Sequence, residues 1–295
     1  MDALQSSKTR VAEPKRSEIP AGGNEERRGP EAHGTSVDDQ ALKELFGSDA
    51  RARNLPPVAI VMAAYHEEGA IGPVLRELPS RICGLPAIAV VVVDGGNDRT
   101  AELAREHGAV VCDVPHRGHG AALRLGYRIA REGGAQYIVT TDADGQYDPA
   151  EAEGLLEPVV SGKADFVSGS RMLGRDETTD PMRRLGVQVF AAVISVLTGH
   201  KITDPAFGLR AMRAEVTAGM ELEQVQYQTS EVLITLISRG FRVAERPATM
   251  RRRQAGETKK GHNVLYGFRF ARVIARTWLR ERRRAAAATS KTTGS

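Results

Sequence analysis

A chain of 295 residues with 41% hydrophobic and 26% charged content is long enough to bury one large α/β core or two small ones. Its two cysteines, Cys83 and Cys112, exclude a disulfide scaffold and a cysteine-rich metal site, and they fit a reducing cytoplasm. The formal net charge is only +4, yet residues 251–295 hold thirteen Lys and Arg against two acids, Glu257 and Glu281. A basic end of this kind suits an anionic partner, or is simply a solvated helix face followed by a basic tail. No apolar run reaches the roughly eighteen residues that span a bilayer. The opening residues lack a secretory-type apolar stretch, so a cytoplasmic protein is expected.

Residues 1–54 are rich in Glu, Arg, Ser, Gly and Pro and poor in aromatics. Such a segment buries too little to offset its ordering entropy and is expected to be a disordered arm, with one short amphipathic helix around 38–46. From 55 to 262 a strand–loop–helix pattern repeats. Residues 58–63 form an apolar run, followed by a polar turn at 65–69 and a helix ending near Leu78. Residues 88–93 are a second, β-branched run, followed by Asp94-Gly95-Gly96-Asn97-Asp98 and a helix through Glu106. A short strand at 109–112, a helix at 118–131 and a strand at 137–141 follow. Runs that are apolar on both faces belong to central parallel strands covered by helices. The alternation predicts an α/β fold with a mainly parallel, doubly wound sheet, whose ligands sit at the carboxyl ends of the strands. Further strands are expected at 165–168, 208–212 and 241–251, with helices at 182–197 and 230–239. A basic helix at 263–284 and a loose tail at 285–295 complete the chain.

The strongest chemical signal is Thr141-Asp142-Ala143-Asp144-Gly145-Gln146-Tyr147-Asp148-Pro149. Two carboxylates one residue apart, just past a strand, can point at one Mg²⁺ or Mn²⁺, hard cations that take oxygen ligands and leave positions for phosphate and water. A diphosphate leaving group gains negative charge as its bond to a sugar breaks, and a bound cation stabilises that charge. The run also reads as a helix start, with Asp148 as N-cap and Pro149 as first helical residue. The two readings are compatible.

With these pieces in place, the chain from about residue 57 to 260 resembles the family 2 glycosyltransferases of the GT-A fold. Within them it is most similar to the branch of dolichyl-phosphate mannose synthase and bacterial polyprenyl-phosphate sugar transferases. The matching motifs, in order, are Ala64-Tyr65-His66-Glu67-Glu68, Val93-Asp94-Gly95-Gly96-Asn97-Asp98-Arg99-Thr100, His116-Arg117-Gly118-His119-Gly120-Ala121-Ala122-Leu123, the Asp142 motif, Ser168-Gly169-Ser170-Arg171, Thr203-Asp204-Pro205-Ala206-Phe207-Gly208-Leu209-Arg210 and Arg253-Gln254-Ala255-Gly256-Glu257-Thr258-Lys259. The resemblance implies a single Rossmann-like GT-A domain and an inverting, Mg²⁺- or Mn²⁺-dependent transfer from a UDP- or GDP-linked sugar. It implies that Tyr65 and Glu67 border the base and ribose, and that Asp94 accepts a hydrogen bond from the base. Asp142, Asp144 and Gln146 would form the metal and diphosphate site, and Arg171, Asp204 and Arg253 the catalytic groups facing sugar and phosphates. Plainer readings stand beside these: Tyr65 as a partly buried surface aromatic, Asp94 as a turn former, Arg171 and Arg253 as surface ion-pair partners. The chain departs from the family where Val93 replaces the first of two Asp, where His116 replaces a frequent Asn, and in lacking membrane helices after the catalytic segment.

Other chemistries fit poorly. Gly118-His119-Gly120 has Leu123 where a dinucleotide motif needs its third glycine. The histidines lack zinc spacing, and no nucleophile elbow occurs. Arg251-Arg252-Arg253 has no interleaved aromatics, which speaks against nucleic acid. Glu231 reads as a helix-start residue, with a general base as the alternative. At helical spacing Arg269, Arg272, Arg276, Arg280 and Arg283 share one face, opposite Tyr266, Phe270, Ile274 and Trp278. That pattern either packs on the domain, its commoner use, or lies in an anionic membrane interface. The favoured acceptor is a polyprenyl phosphate at the cytoplasmic membrane face. A small hydroxylated metabolite is the alternative acceptor, and a non-catalytic nucleotide-sugar or anion-binding module the alternative class.

Overall fold

The computed structural model describes residues 35–178, 180–220, 222–224, 228–252 and 263–292, with the backbone alone at 35–36, 263–266 and 288–292. In chain order the elements are α1 (Thr35–Ser48), β1 (Val58–Ala64), α2 (Ile71–Glu77), β2 (Arg81–Ile82), β3 (Leu85–Asp94), α3 (Thr100–Glu106), β4 (Val110–Val114), α4 (His119–Glu132), β5 (Tyr137–Thr140), α5 (Ala152–Val160), β6 (Phe166–Asp176), α6 (Pro181–Thr198), β7 (Arg210–Arg213), α7 (Gln228–Ser238), β8 (Val243–Met250) and α8 (Asn263–Thr292). One sheet runs β2-β3-β1-β5-β7-β6-β8, and β4 pairs with the carboxyl half of β3. β4, β3, β1 and β5 are parallel, and so are β6 and β8. β7 is inserted antiparallel between β5 and β6, and β2 is antiparallel to β3. The sheet is mainly parallel, as the sequence pattern implies, and forms a GT-A-like α/β domain.

Alternation along β1 shows why its sequence is apolar throughout. Ala59, Val61 and Ala63 pack with residues of α1, α4, α7 and α8, while Val58, Ile60 and Met62 face the opposite side with α2 and α5. Burial of both faces leaves no position for a polar side chain.

Two expected boundaries move. The arm is expected to be disordered to residue 54 apart from one short helix around 38–46; that helix is present, extends over Thr35–Ser48 as α1, and buries Ala41, Leu42 and Leu45 in the core shared with α4. Three apolar residues at helical spacing suffice to dock the helix once a complementary surface exists, and that surface is set by tertiary structure. The expected tail from 285 is helical to Thr292 as part of α8. The expectation for residues 1–34 lies outside the described residues.

α8 also resolves the choice left open for the basic helix. Phe270 and Ile274 are 2% and 1% exposed. The Phe270 ring packs 4.3 Å from that of Phe190 in α6, and Trp278 Nε1 donates to the Leu197 carbonyl at 2.9 Å. The ring-bearing face is thus covered by the domain. Arg280 leaves the exposed arginine row: its Nη1 lies 3.0 Å from Glu231 and 3.3 Å from Glu223.

Candidate active site

β1, β3, β4 and β5 end along one edge, and the residues singled out in the sequence follow those ends. Ala64 pairs with Val93 and Asp94 with Val114, while Thr141 N donates to the Val61 carbonyl at 3.2 Å. Crossover connections return these four strands in the same direction, so four loops distant in sequence converge here.

Asp94 is 2% exposed, and its carboxylate is committed to the loop entering α4. Oδ1 accepts from Arg117 N and Oδ2 from Gly118 N, each at 2.7 Å, and His116 Nδ1 lies 3.0 Å from Oδ2. Both oxygens thus shape the 116–118 turn, a role the sequence alone does not assign to Asp94. Gly95 permits that approach, since its φ is +74° and a Cβ there would lie 2.8 Å from His116 N. Tyr65 packs on the His116 ring with centroids 4.5 Å apart and meets His66 edge-on at 4.3 Å, so three rings wall this part of the edge. Nothing in the sequence pairs Tyr65 with His116, although the replacement of the family's Asn was the visible signal. Glu67 closes the loop through its backbone: its amide donates to Thr100 Oγ1 at 2.9 Å and its carbonyl accepts from Ala70 N and Ile71 N. Asp98 anchors the far side of this loop, accepting from Thr100 Oγ1 at 2.9 Å and Glu68 N at 3.3 Å. Burial raises its pKa, but these donors outweigh burial and hold Asp98 below the ordinary carboxylate range.

The Asp142 turn occupies the end of β5. Asp144, 6% exposed, accepts at Oδ1 from Gln146 N at 3.1 Å, and Gly145 adopts φ +73° to reverse the chain. The Asp142 side chain is 34% exposed and faces His119 Nε2 at 3.7 Å, at the first residue of α4. The carbonyl of buried Gln146 accepts from Arg251 N at 2.8 Å, so the end of β8 is stitched to the turn. Arg251 adds ion pairs to Asp148 at 2.7 Å and Glu77 at 3.0 Å. As expected, Asp148 caps the following turn, accepting from Ala150 N at 3.0 Å. Beneath lies Tyr147, whose hydroxyl accepts from Gly208 N at 2.9 Å and whose ring packs at a tilt against that of Phe207, with centroids 4.7 Å apart. A Cβ on Gly208 would sit 2.9 Å from the Tyr147 ring, which accounts for the glycine. Among the described residues no three His, Cys, Asp or Glu gather as a ready-made metal cluster. The turn therefore supplies a carboxylate pair, a donor set of hard oxygens that fits a divalent cation completed by phosphate and water.

Arg171 and Asp204 meet, but in the interior: they are 2% and 0% exposed. Arg171 Nε lies 2.6 Å from Asp204 Oδ2, its backbone N 3.1 Å from the same oxygen, and Nη2 3.4 Å from Oδ1. Burial disfavours the Arg171 cation, yet Asp204 outweighs burial and raises its pKa. Glu245, which the sequence did not mark, accepts from Thr203 N at 2.7 Å and Asp204 N at 2.9 Å. This buried cluster clamps the 203–208 turn beneath Tyr147 and does not present the two side chains to a sugar. Glu231 is 0% exposed and accepts from Glu223 N at 2.9 Å and Gln224 N at 3.0 Å, besides its Arg280 ion pair. As expected, Glu231 stands in the first turn of α7, and there it also ties α8 to residues 223–224. Arg253 lies outside the described residues.

Comparison with known proteins places the chain in a family. The family model described as glycosyl transferase family 2 matches residues 59–219. A dolichyl-phosphate hexose transferase from Haloferax volcanii is 36% identical over 202 residues, covering 68% of this chain and 86% of its own. An undecaprenyl-phosphate mannosyltransferase from Micrococcus luteus is 28% identical over 221 residues, covering 70% and 89%. Among solved structures, glucosyl-3-phosphoglycerate synthase from Mycobacterium tuberculosis, in complex with Mn²⁺, UDP and phosphoglyceric acid, superposes with a TM-score of 0.59 at 20% identity, over 81% of this chain and 82% of that one. That likeness establishes a shared fold. More than half of the chain fits the family model, and its signature loops meet at one sheet edge: this protein belongs to glycosyl transferase family 2.

Proposed function

We propose that this glycosyltransferase moves a hexose, with inversion at the anomeric carbon, from a UDP- or GDP-linked donor to a polyprenyl phosphate at a membrane face. The acceptor class rests on the 36% identity to a dolichyl-phosphate hexose transferase, and the state of three buried carboxylates is in keeping with it. Asp94, Asp204 and Glu231 are all buried, and each already accepts from backbone amides or an arginine. None of the three is placed to take a proton from an acceptor hydroxyl. A phosphate acceptor needs no such base, because it is already an anion. The kinship with a dolichyl-phosphate hexose transferase supports the same class.

Tyr65, with Glu67 beside it, borders the nucleoside, and the His116 ring stiffens this wall. Asp94 acts at one remove, by fixing the turn that carries His116 and the N-terminus of α4. That N-terminus carries partial positive charge and favours the donor diphosphate next to Asp142. Asp142, Asp144 and Gln146 would hold Mg²⁺ or Mn²⁺. When bound, the cation stabilises the charge that develops on the leaving nucleoside diphosphate. Arg171 and Asp204 position the turn below, and Arg253 stays a candidate for contact with the phosphates on its motif alone.

The test is a transfer assay with UDP- and GDP-hexoses, Mn²⁺ or Mg²⁺, and either a polyprenyl phosphate or a panel of small hydroxylated metabolites. Sugar appearing on the lipid phosphate is expected. Transfer only to a water-soluble hydroxyl would overturn the acceptor assignment.

A further inference from the structure

We propose that the protein docks on an anionic phospholipid surface through the outer face of α6, flanked by the exposed arginines of α8. The inference rests on the membrane-borne acceptor proposed above and names the surface that would bring the site to it. α6 turns Val187, Ala191 and Ile194 into the core. Its outer side carries Met182, Leu185, Val189, Val193 and Val196, which are 61, 56, 51, 41 and 83% exposed. At 3.6 residues per turn these five fall within about 80° of one another, a continuous stripe. Among the described residues they make up five of the ten exposed large hydrophobics, which is concentration and not the usual scatter.

The neighbouring helix extends the surface. The Phe190–Phe270 ring pair and the Trp278–Leu197 hydrogen bond set α8 alongside α6 in the same direction. The outward side of α8 adds Phe268 and Leu279, 71% and 46% exposed, together with exposed Arg269, Arg272, Arg276 and Arg283. α6 contains no acid. The only acid in α8, Glu281, is 4% exposed and ion-paired with Arg239 at 3.0 Å. An apolar ridge with a guanidinium flank, and no exposed carboxylate within either helix, complements a bilayer of anionic headgroups, where apolar side chains enter the acyl boundary and arginines meet phosphates. A second copy of the chain would also cover the ridge, but its α6 and α8 offer the arginines no exposed carboxylate, whereas anionic headgroups do offer them negative charge, so charge favours lipid.

Co-sedimentation with phosphatidylcholine vesicles, with and without phosphatidylglycerol, tests the proposal. The full chain is compared with Leu185→Gln/Val189→Gln/Val193→Gln and with Arg269→Gln/Arg272→Gln/Arg276→Gln, each checked by its thermal midpoint. The apolar triple variant is expected to lose at least about ten-fold in vesicle partitioning at an unchanged midpoint. The arginine variant is expected to lose the preference for anionic over neutral vesicles. Wild-type protein that ignores vesicles, an apolar variant that still binds fully, or a wild-type dimer that the apolar variant splits without any vesicle binding would each overturn the proposal. Transfer to a short, buffer-soluble prenyl phosphate should be unchanged in the apolar variant. Absence of that transfer in the wild type would refute the acceptor class, while vesicle binding still judges the docking surface separately.

Discussion

Arg171→Met separates a structural role for the buried ion pair from a catalytic one. The Asp204 carboxylate is 0% exposed and accepts from Arg171 through Nε, Nη2 and the backbone amide, and from Ala206 N. Truncating the guanidinium leaves the two amide donors but strands a buried charge, at a cost of roughly 3–5 kcal/mol. For a domain of this size each kcal/mol lowers the melting midpoint by roughly 2–4 °C, so a drop of about 6–20 °C is expected. Arg171→Met/Asp204→Leu removes both charges together and should recover at least about half of that loss, because the desolvation cost disappears with the interaction. Urea and thermal unfolding of the wild type, both single variants and the double variant form a mutant cycle, with an expected coupling above about 1.5 kcal/mol. Transfer rates corrected for the folded fraction should change far less than stability does. Additive effects on stability, with midpoints nearly unmoved and kcat reduced by orders of magnitude, would refute the structural reading and return both side chains to the sugar.

Asp144→Ala is expected to cut transfer by about 10²–10³-fold while costing only about 1 kcal/mol of stability through the lost hydrogen bond to Gln146 N; activity that survives both this change and EDTA would remove the cation from the reaction. Leu45→Ala, in the helix that replaces part of the expected arm, should cost about 2–4 kcal/mol in urea unfolding, since Leu45 is 5% exposed. An unchanged midpoint would show that α1 does not dock. Asp165 tests acid stability. Burial raises its pKa, but Arg242 and then Arg213 outweigh burial and leave it below its usual value. A depressed carboxylate contributes stability above its unfolded pKa and loses it as pH falls through the folded value. The stability difference between wild type and Asp165→Asn should therefore be full near neutrality and close as the solution is acidified below about pH 4, and a pH-independent gap would contradict the assignment.

Much of this molecule was legible in one dimension because its signals are local. Each apolar run such as 58–64 or 90–93 is both strand and core, since burial on two faces excludes polar residues over consecutive positions. The Asp142 motif likewise carries its own turn, as Asp144 accepts from an amide two residues on. Long-range partners were not readable. The capture of Arg117 and Gly118 amides by Asp94 spans 23 and 24 positions, and the Arg171–Asp204 pair spans 33. In one dimension such residues look like any polar loop side chain. Only the register between β3 and β4, and the return of the chain onto β7, decided whether their carboxylates face a ligand or a neighbouring loop. The helices near the two ends show the same division. Periodicity showed that α8 is amphipathic, but which face is wet depended on α6 and α7 being there to cover Phe270 and Ile274, and on buried Glu231 drawing Arg280 inward. Amphipathicity is a property of a segment, whereas burial is a property of what packs against it, and that is set by tertiary structure alone.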